Sequence, residues 1–281
     1  MTTTLRPTGP EHRTADGRRS RTYEICVNSR PVGSLDLAGP PEGGPASGRM
    51  DRLTVESGER RRGRGTVAAL AAEEVLRDWG AVYVETSVPV TGEEDAAGTG
   101  LLASLGYTER SRHMVKDVDA PPPLPPRSVP RPLTADEFEQ WWDKSTATFI
   151  DGMTARGATP QEAAVRSEAA RRIHLPDGAA TRTAALRVLT RDGVDVGAIW
   201  LAFAGLPRDD VDAWVFDVHV AAERRGEGHG RTLMLAAEHV CAERGARLLG
   251  LNVFSDNTPA LRLYTSLGYR LVELCYAKRL V

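Results

Sequence analysis

The sequence predicts an α/β protein with two domains, each built from a mixed sheet flanked by helices. Three observations support this: strand and helix patterns alternate in the second half, short segments of that half recur in the first, and a proline-rich stretch separates the two. A chain of 281 residues also exceeds one typical domain. We therefore expect two copies of one fold.

The second half gives the clearer series of elements. Two capping boxes, at 134–137 and 159–162, each begin a helix. The pattern then predicts a hairpin of strands over 186–190 and 194–203, a strand over 214–220, a helix over 230–244, a strand over 248–254, a helix over 259–267 and a strand over 270–278. This order gives a domain with a mixed sheet.

The repeat consists of four short matches in the same order. Segments 61–65, 71–73, 80–81 and 104–107 of the first half match segments 224–228, 236–238, 245–246 and 266–269 of the second. We place the domains at 1–118 and 133–281, joined by a linker at 119–132 in which seven of fourteen residues are proline. Because proline lacks a backbone donor, this linker is predicted to be a stiff polyproline-II spacer and not a central strand.

Composition excludes several classes of protein. With 38 acidic and 36 basic residues, the net charge of −2 argues against a dedicated nucleic-acid or membrane-surface binder. No apolar run approaches the about 20 residues of a membrane span, and the N-terminus lacks the apolar run of a signal peptide. Three cysteines are too few for a disulfide framework. This number of cysteines fits a reducing cytoplasm, so we expect a cytoplasmic protein. The histidines show no metal-ligand spacing, so we expect no metal site.

A glycine-rich loop that follows the strand over 214–220 is the most informative segment. It reads Arg225-Gly226-Glu227-Gly228-His229-Gly230-Arg231. Glycines let the backbone turn tightly and approach a ligand, and the following helix presents free N–H groups at its positive end. The loop therefore suits a phosphate or pyrophosphate, with Arg225 and Arg231 as additional cations. It is neither a P-loop nor a Rossmann fingerprint.

Arg225-x-x-Gly228-x-Gly230 resembles the acyl-CoA pyrophosphate loop of the GNAT superfamily of N-acetyltransferases. Segment 251–269 is similar to the second motif of that family and carries its Asn-x-x-Ala-x-x-x-Tyr-x-x-x-Gly pattern. Together the two motifs cover most of residues 213–281. The resemblance implies a GNAT fold and the transfer of an acetyl group from acetyl-CoA to a primary amine by direct attack.

The resemblance also implies which residues form the site. In the family, the strand before the loop splays from its neighbour and holds the pantetheine arm, and Tyr264 takes the position of the general acid. The implied contacts to acetyl-CoA are Val218, His219, Val220, Arg225, Gly226, Glu227, Gly228, His229, Gly230, Arg231, Asn252, Asn257, Ala260 and Tyr264. An alternative role for Asn257 is to cap its helix.

The general base has two candidates, Asp217 and His219. They lie two positions apart on one strand, so both point to one face. Histidine has a suitable ordinary pKa, whereas burial would have to raise the pKa of Asp217. We rank Asp217 first, and a water chain is the alternative. The acceptor is expected to be a small-molecule amine, with no nucleic-acid or membrane partner, and a homodimer is left open.

The first copy departs from the family pattern. When it is aligned on Arg62-x-x-Gly65, its last glycine becomes Val67 and its loop is shorter. The position of Tyr264 is taken by Leu102. Residues 30–33 are interpreted as the hairpin of the first copy, so the segment before them is too short for two opening helices. We expect a degenerate, truncated and catalytically silent copy that covers the active domain and shapes the acceptor site.

Two other functions are weighed against acetyl transfer. A tandem GNAT-like aminoacyl transferase that uses aminoacyl-tRNA generally does not need the pyrophosphate loop, so segment 225–230 and the net charge argue against it. A non-catalytic CoA-sensing module needs no general acid, so Tyr264 argues against that function.

Overall fold

The computed structural model of the chain describes residues 2–14, 16–90 and 95–280. Contacts divide the chain into two compact units: unit 1 is Met1–Ser111 with Glu273–Val281, and unit 2 is Arg112–Val272. Each unit contains parallel and antiparallel strand pairs and flanking helices. This confirms the predicted fold class. The domain limits at residues 118 and 133 concern the two sequence copies and stay a prediction.

Unit 1 begins with strands and not with helices. Its elements are β1 (Thr3–Pro7), β2 (His12–Arg13), β3 (Arg19–Val27), β4 (Arg30–Ala38), β5 (Ser47–Val55), α1 (Arg64–Asp78), β6 (Tyr83–Pro89), α2 (Asp95–Ser104), the start of β7 (Thr108–Asp117) and the end of β13 (Arg270–Arg279). The sheet order is β1, β3, β4, β5, β6, β13, with β2 on β3. Within the described ranges, the first α-helix is α1, in agreement with the predicted loss of two opening helices.

Unit 2 contains the second copy's helices and most of its strands. After β7 come β8 (Ser128–Pro132), α3 (Ala135–Thr154), α4 (Pro160–His174), β9 (Ala184–Arg191), β10 (Val194–Ala202), β11 (Ala213–Val220), α5 (His229–Glu243), β12 (Leu248–Phe254), α6 (Thr258–Ser266) and the start of β13 (Arg270–Arg279). Its sheet runs β7, β12, β11, β10, β9, β8. Both predicted capping boxes are present, at Thr134 and Thr159.

Alternation along β10 separates two apolar clusters of unit 2. Ile199 and Leu201 pack with Leu233 of α5, whereas Trp200 packs with Trp142 of α3. Successive side chains of a strand point to opposite faces, so α5 and α3 cover different faces of the sheet. None of the described helices combines the length and the apolar character that crossing a membrane requires.

The proline-rich segment is a spacer over only part of its length. Its last five residues form β8, which pairs antiparallel with β9 from Ser128–Arg191 to Pro132–Arg187. β8 ends the strand order of unit 2. Proline is tolerated at such an edge because only one side of the strand must supply hydrogen bonds. The expectation of a spacer throughout 119–132 was therefore wrong, while the exclusion of a central strand was correct.

In each unit, the helix that follows the glycine-rich loop carries a buried glutamate that pairs with a lysine of a neighbouring strand. In unit 2, Lys116 Nζ of β7 lies 2.6 Å from Glu238 Oε1 of α5. In unit 1, Lys278 Nζ of β13 lies 2.7 Å from Glu73 Oε2 of α1. β7 follows the first copy's repeat segment and β13 follows the second copy's. Each copy therefore contributes a lysine-bearing strand to the other copy's unit.

Replacing Lys116 by methionine is expected to destabilise unit 2 by about 3 kcal/mol, because it leaves the carboxylate of Glu238 buried without a cation. The double variant Lys116→Met/Glu238→Met should recover most of this loss, since apolar residues of similar size can replace a buried ion pair. Urea unfolding followed by tryptophan fluorescence measures both changes. Wild-type stability in the single variant would contradict the importance of this pair.

Candidate active site

The strands β11 and β12 separate part-way along their length. Their parallel ladder joins Ala213–Val215 to Leu249–Leu251, and both strands then continue beyond it. On its other edge, β11 pairs Val215 with Leu201 and Asp217 with Trp200, so Phe216 is an extra, bulged residue. A bulge bends its strand. The result is an opening between the two strands, as the family resemblance implies.

The glycine-rich loop lies at the end of β11. Gly226 and Gly228 have φ angles of 82° and 86°, a conformation that disfavours residues with a Cβ. A Cβ at either position would meet no described atom within 4 Å. Gly228 is the N-cap of α5. The backbone can therefore be approached closely at the positive end of this helix.

The charged side chains of the loop bond to the protein itself. Arg225 Nε donates a hydrogen bond to the carbonyl of Val220 over 3.3 Å, and Arg231 donates to the hydroxyl of Ser266. Glu227 accepts from Arg224, which together with His229 lowers the pKa of its carboxyl. The role of the Arg225 and Arg231 guanidinium groups in binding phosphate stays a prediction.

Tyr264 of α6 is buried, with 5% of its surface exposed. Burial, with a smaller contribution from the negative charge of Asp217, raises the pKa of its phenol to about 12. The phenol is therefore protonated at neutral pH and able to donate a proton. Upstream, Asn257 Oδ1 accepts from the backbone N–H of Ala260 over 3.2 Å, so Asn257 caps its helix, and its contact with acetyl-CoA stays a prediction.

Asp217 and His219 lie on the open part of β11. Val218 and Val220 pack against the core around α5, so strand alternation places the two polar side chains on the other face. Burial raises the pKa of Asp217, and a hydrogen bond from Ser145 and the charge of His219 oppose that rise. Across the opening, Asn252 is exposed on the unpaired part of β12.

The sequence did not predict two contacts with the site, one from α3 and one from the segment that follows it. The Ser145 hydroxyl donates to Asp217 Oδ2 over 2.9 Å. Two residues beyond α3, Arg156 Nη2 lies 2.6 Å from Asp256 Oδ1, and the guanidinium stacks 4.1 Å from the ring centre of Phe254. These residues belong to no motif and are distant in sequence from their partners, so no local pattern could have identified them.

The loop of unit 1 corrects the predicted alignment of the copies. A short 3-10 turn at Ser57–Glu59 precedes it, as Ala222–Arg224 does in unit 2. Gly63 is the N-cap of α1, with φ and ψ of 75° and 3°, against 86° and 2° for Gly228. Arg60 Nε donates to a strand carbonyl as Arg225 Nε does.

Arg60-x-x-Gly63-x-Gly65 is therefore the counterpart of Arg225-x-x-Gly228-x-Gly230. The expectation that Val67 replaces the last glycine and that the loop is shorter was wrong, because the alignment on Arg62 was displaced by two residues. α1 and α5 both have 15 residues. The prediction of a degenerate first copy now depends on Leu102, which has no hydroxyl, and on the lack of two helices before α1 among the described residues.

Comparison with known proteins identifies the family of this site. Residues 159–269, which include the glycine-rich loop, Asp217 and Tyr264, match the Acetyltransferase (GNAT) family. The chain contains an acetyltransferase domain of the GNAT family. The predicted enzyme class is thereby confirmed, and this GNAT domain lies in unit 2.

Relatives of the GNAT domain extend over most of the chain. Mycothiol acetyltransferase from Thermomonospora curvata is 29% identical over 260 residues, covering 89% of this chain and 79% of that protein. A tandem GNAT protein from the clavulanic acid biosynthesis pathway has a TM-score of 0.54 at 21% identity, covering 95% of this chain and 85% of that one. A GCN5-related N-acetyltransferase from Sphaerobacter thermophilus has a TM-score of 0.61 at 20% identity, with coverages of 92% and 80%. The two structures share the fold.

Proposed function

We propose that unit 2 transfers an acetyl group from acetyl-CoA to a primary amine of a small molecule. The observation that carries this proposal is the opening between β11 and β12, which adjoins the loop at the start of α5 and contains Asp217. The opening leaves one edge of β11 without a strand partner. An extended ligand can bond to such an edge as an added strand does.

The residues present fit acetyl-CoA. The backbone around Gly226 and Gly228 is open and lies at a helix N-terminus, which suits a pyrophosphate. The unpaired edge of β11 from Phe216 to Val220 offers peptide groups to a pantetheine arm. Bound there, acetyl-CoA supplies the acetyl group as an activated thioester.

Asp217 and Tyr264 divide the proton transfers. Asp217 accepts a proton from the acceptor ammonium, so that the free amine can attack the acyl carbon and form the C–N bond. Tyr264 donates its proton to the sulfur as the C–S bond breaks, and the second proton that the attacking nitrogen loses returns to the Tyr264 phenolate. Burial suits each group to its role, because it raises the pKa of the Asp217 carboxyl and keeps the phenol protonated. His219 is the alternative base.

The acceptor amine is assigned to the face of α3 that approaches β11. Ser145 contacts Asp217, and Phe149 lies one helical turn further and is 36% exposed. A small-molecule acceptor is also in line with the name of the relative from Thermomonospora curvata, a mycothiol acetyltransferase.

A screen of small primary amines with acetyl-CoA tests the proposal. The full chain is mixed with each amine, CoA thiol release is followed with a thiol reagent, and products are checked by mass spectrometry. We expect amine-dependent release with formation of the N-acetyl product. Consumption of aminoacyl-tRNA without affinity for CoA would favour an aminoacyl transferase, and CoA binding without turnover of any amine would favour a sensor.

A further inference from the structure

The hydroxyl of Ser145 is the side-chain donor that holds Asp217. Ser145 lies near the middle of α3, and its Oγ is 2.9 Å from Asp217 Oδ2 on β11. The two residues are 72 positions apart in sequence. A hydrogen bond to an ionised carboxylate is stronger than one between neutral groups, and it fixes the carboxylate in one orientation.

The other neighbours of Asp217 interact with its carboxylate in different ways from Ser145. His219 contributes a charge from the same strand, and the backbone at Val218 contributes a hydrogen bond. Trp200 is the cross-strand partner on β10. Tyr264 of α6 is close enough for the charge of Asp217 to raise the pKa of its phenol. Ser145 is thus the contact that ties the carboxylate to α3, the helix to which we assign the acceptor.

We propose that Ser145 is a positioning residue for acetyl transfer, whose hydroxyl orients the Asp217 carboxylate toward the acceptor ammonium and stabilises its ionised form. This inference rests on the proposed function, with Asp217 as the base. In this proposal α3 has two roles. It lines the acceptor site, and through Ser145 it orients the Asp217 carboxylate that accepts the proton. The proton itself passes from the ammonium to Asp217, and Ser145 keeps its own.

The Ser145→Ala variant tests the inference through the pH profile of kcat/KM for the amine, measured at saturating acetyl-CoA. Loss of a bond that favours the ionised carboxylate should move the acid limb to higher pH by about one unit. The plateau should fall roughly tenfold, because the carboxylate loses its fixed orientation. KM for acetyl-CoA should not change.

Thr146→Val is the matched control. Thr146 is the next residue of α3, and its hydroxyl lies 3.0 Å from the hydroxyl of Ser167 on α4. The substitution removes a hydroxyl contact of the same helix without touching Asp217. We expect the wild-type pH profile. Equal shifts in the Ser145→Ala and Thr146→Val variants, or a wild-type profile for Ser145→Ala, would overturn the inference.

Two further measurements separate this inference from the proposed function. If Asp217→Asn loses the acid limb while Ser145→Ala keeps the wild-type profile, only the role of Ser145 fails. If no amine is acetylated, carbon NMR titration of the Asp217 carboxyl still tests the contact without turnover. Ser145→Ala should then raise the titration midpoint and Thr146→Val should not, and an unchanged midpoint in Ser145→Ala would contradict the proposal.

Discussion

Replacing Tyr264 by phenylalanine is expected to lower kcat roughly 100- to 1000-fold, the size of a general-acid contribution. The ring remains, so the packing of α6 is kept, while the proton donor for the leaving sulfur is removed. KM for acetyl-CoA should stay within about twofold. Steady-state thiol release measures both values.

Tyr269→Phe is the matched control for this substitution. Its ring centre lies 5.8 Å from that of Tyr264, and its buried hydroxyl has no hydrogen-bond partner among the described residues. Removing that hydroxyl should change neither kcat nor KM. Equal losses in the two variants would indicate damage to packing, and wild-type turnover in Tyr264→Phe would exclude Tyr264 as the acid.

Replacing Gly228 by valine is expected to raise KM for acetyl-CoA roughly 10- to 100-fold. A β-branched residue is strained at a φ of 86°, and its side chain would occupy the open space in front of the backbone N–H groups of α5. Loss of hydrogen bonds between these groups and a pyrophosphate accounts for the size of the effect. Steady-state kinetics at varied acetyl-CoA concentration measures it.

Gly63→Val places the same strain in the loop of unit 1. Gly63 has nearly the same backbone angles as Gly228 and an equally open Cβ direction. Because Leu102 cannot donate a proton, we assign the chemistry to unit 2 and expect wild-type kinetics for this variant. A rise in KM for acetyl-CoA equal to that of Gly228→Val would contradict the assignment.

Much of unit 2 could be predicted because its signals are local. The strand over Leu248–Phe254 was placed at its observed bounds, and both helices that begin with capping boxes start where the boxes indicate. Capping residues and alternation act within a few positions of the chain, so a single sequence contains them. The glycine pattern between a strand and a helix identified the loop from Arg225, whereas Tyr264 was assigned through the resemblance to the GNAT family.

The rest depends on contacts between distant parts of the chain. The edge strand β8 forms because β9 supplies a partner, and Ser145 meets Asp217 only after α3 packs on the sheet. The loop of unit 1 was misaligned because an arginine-rich run offers several registers for an Arg-x-x-Gly pattern. The position of Gly63 at the start of α1 decided among them.

The most direct test of the account mixes the full chain with isotopically labelled acetyl-CoA, first alone and then with an acceptor amine found in the screen. The position of the label is followed by mass spectrometry of the chain, the CoA thioester and the amine. If transfer is direct, the label stays on CoA until the amine is added and then appears on the amine nitrogen. Label on the protein, or CoA release without an amine, would contradict direct transfer.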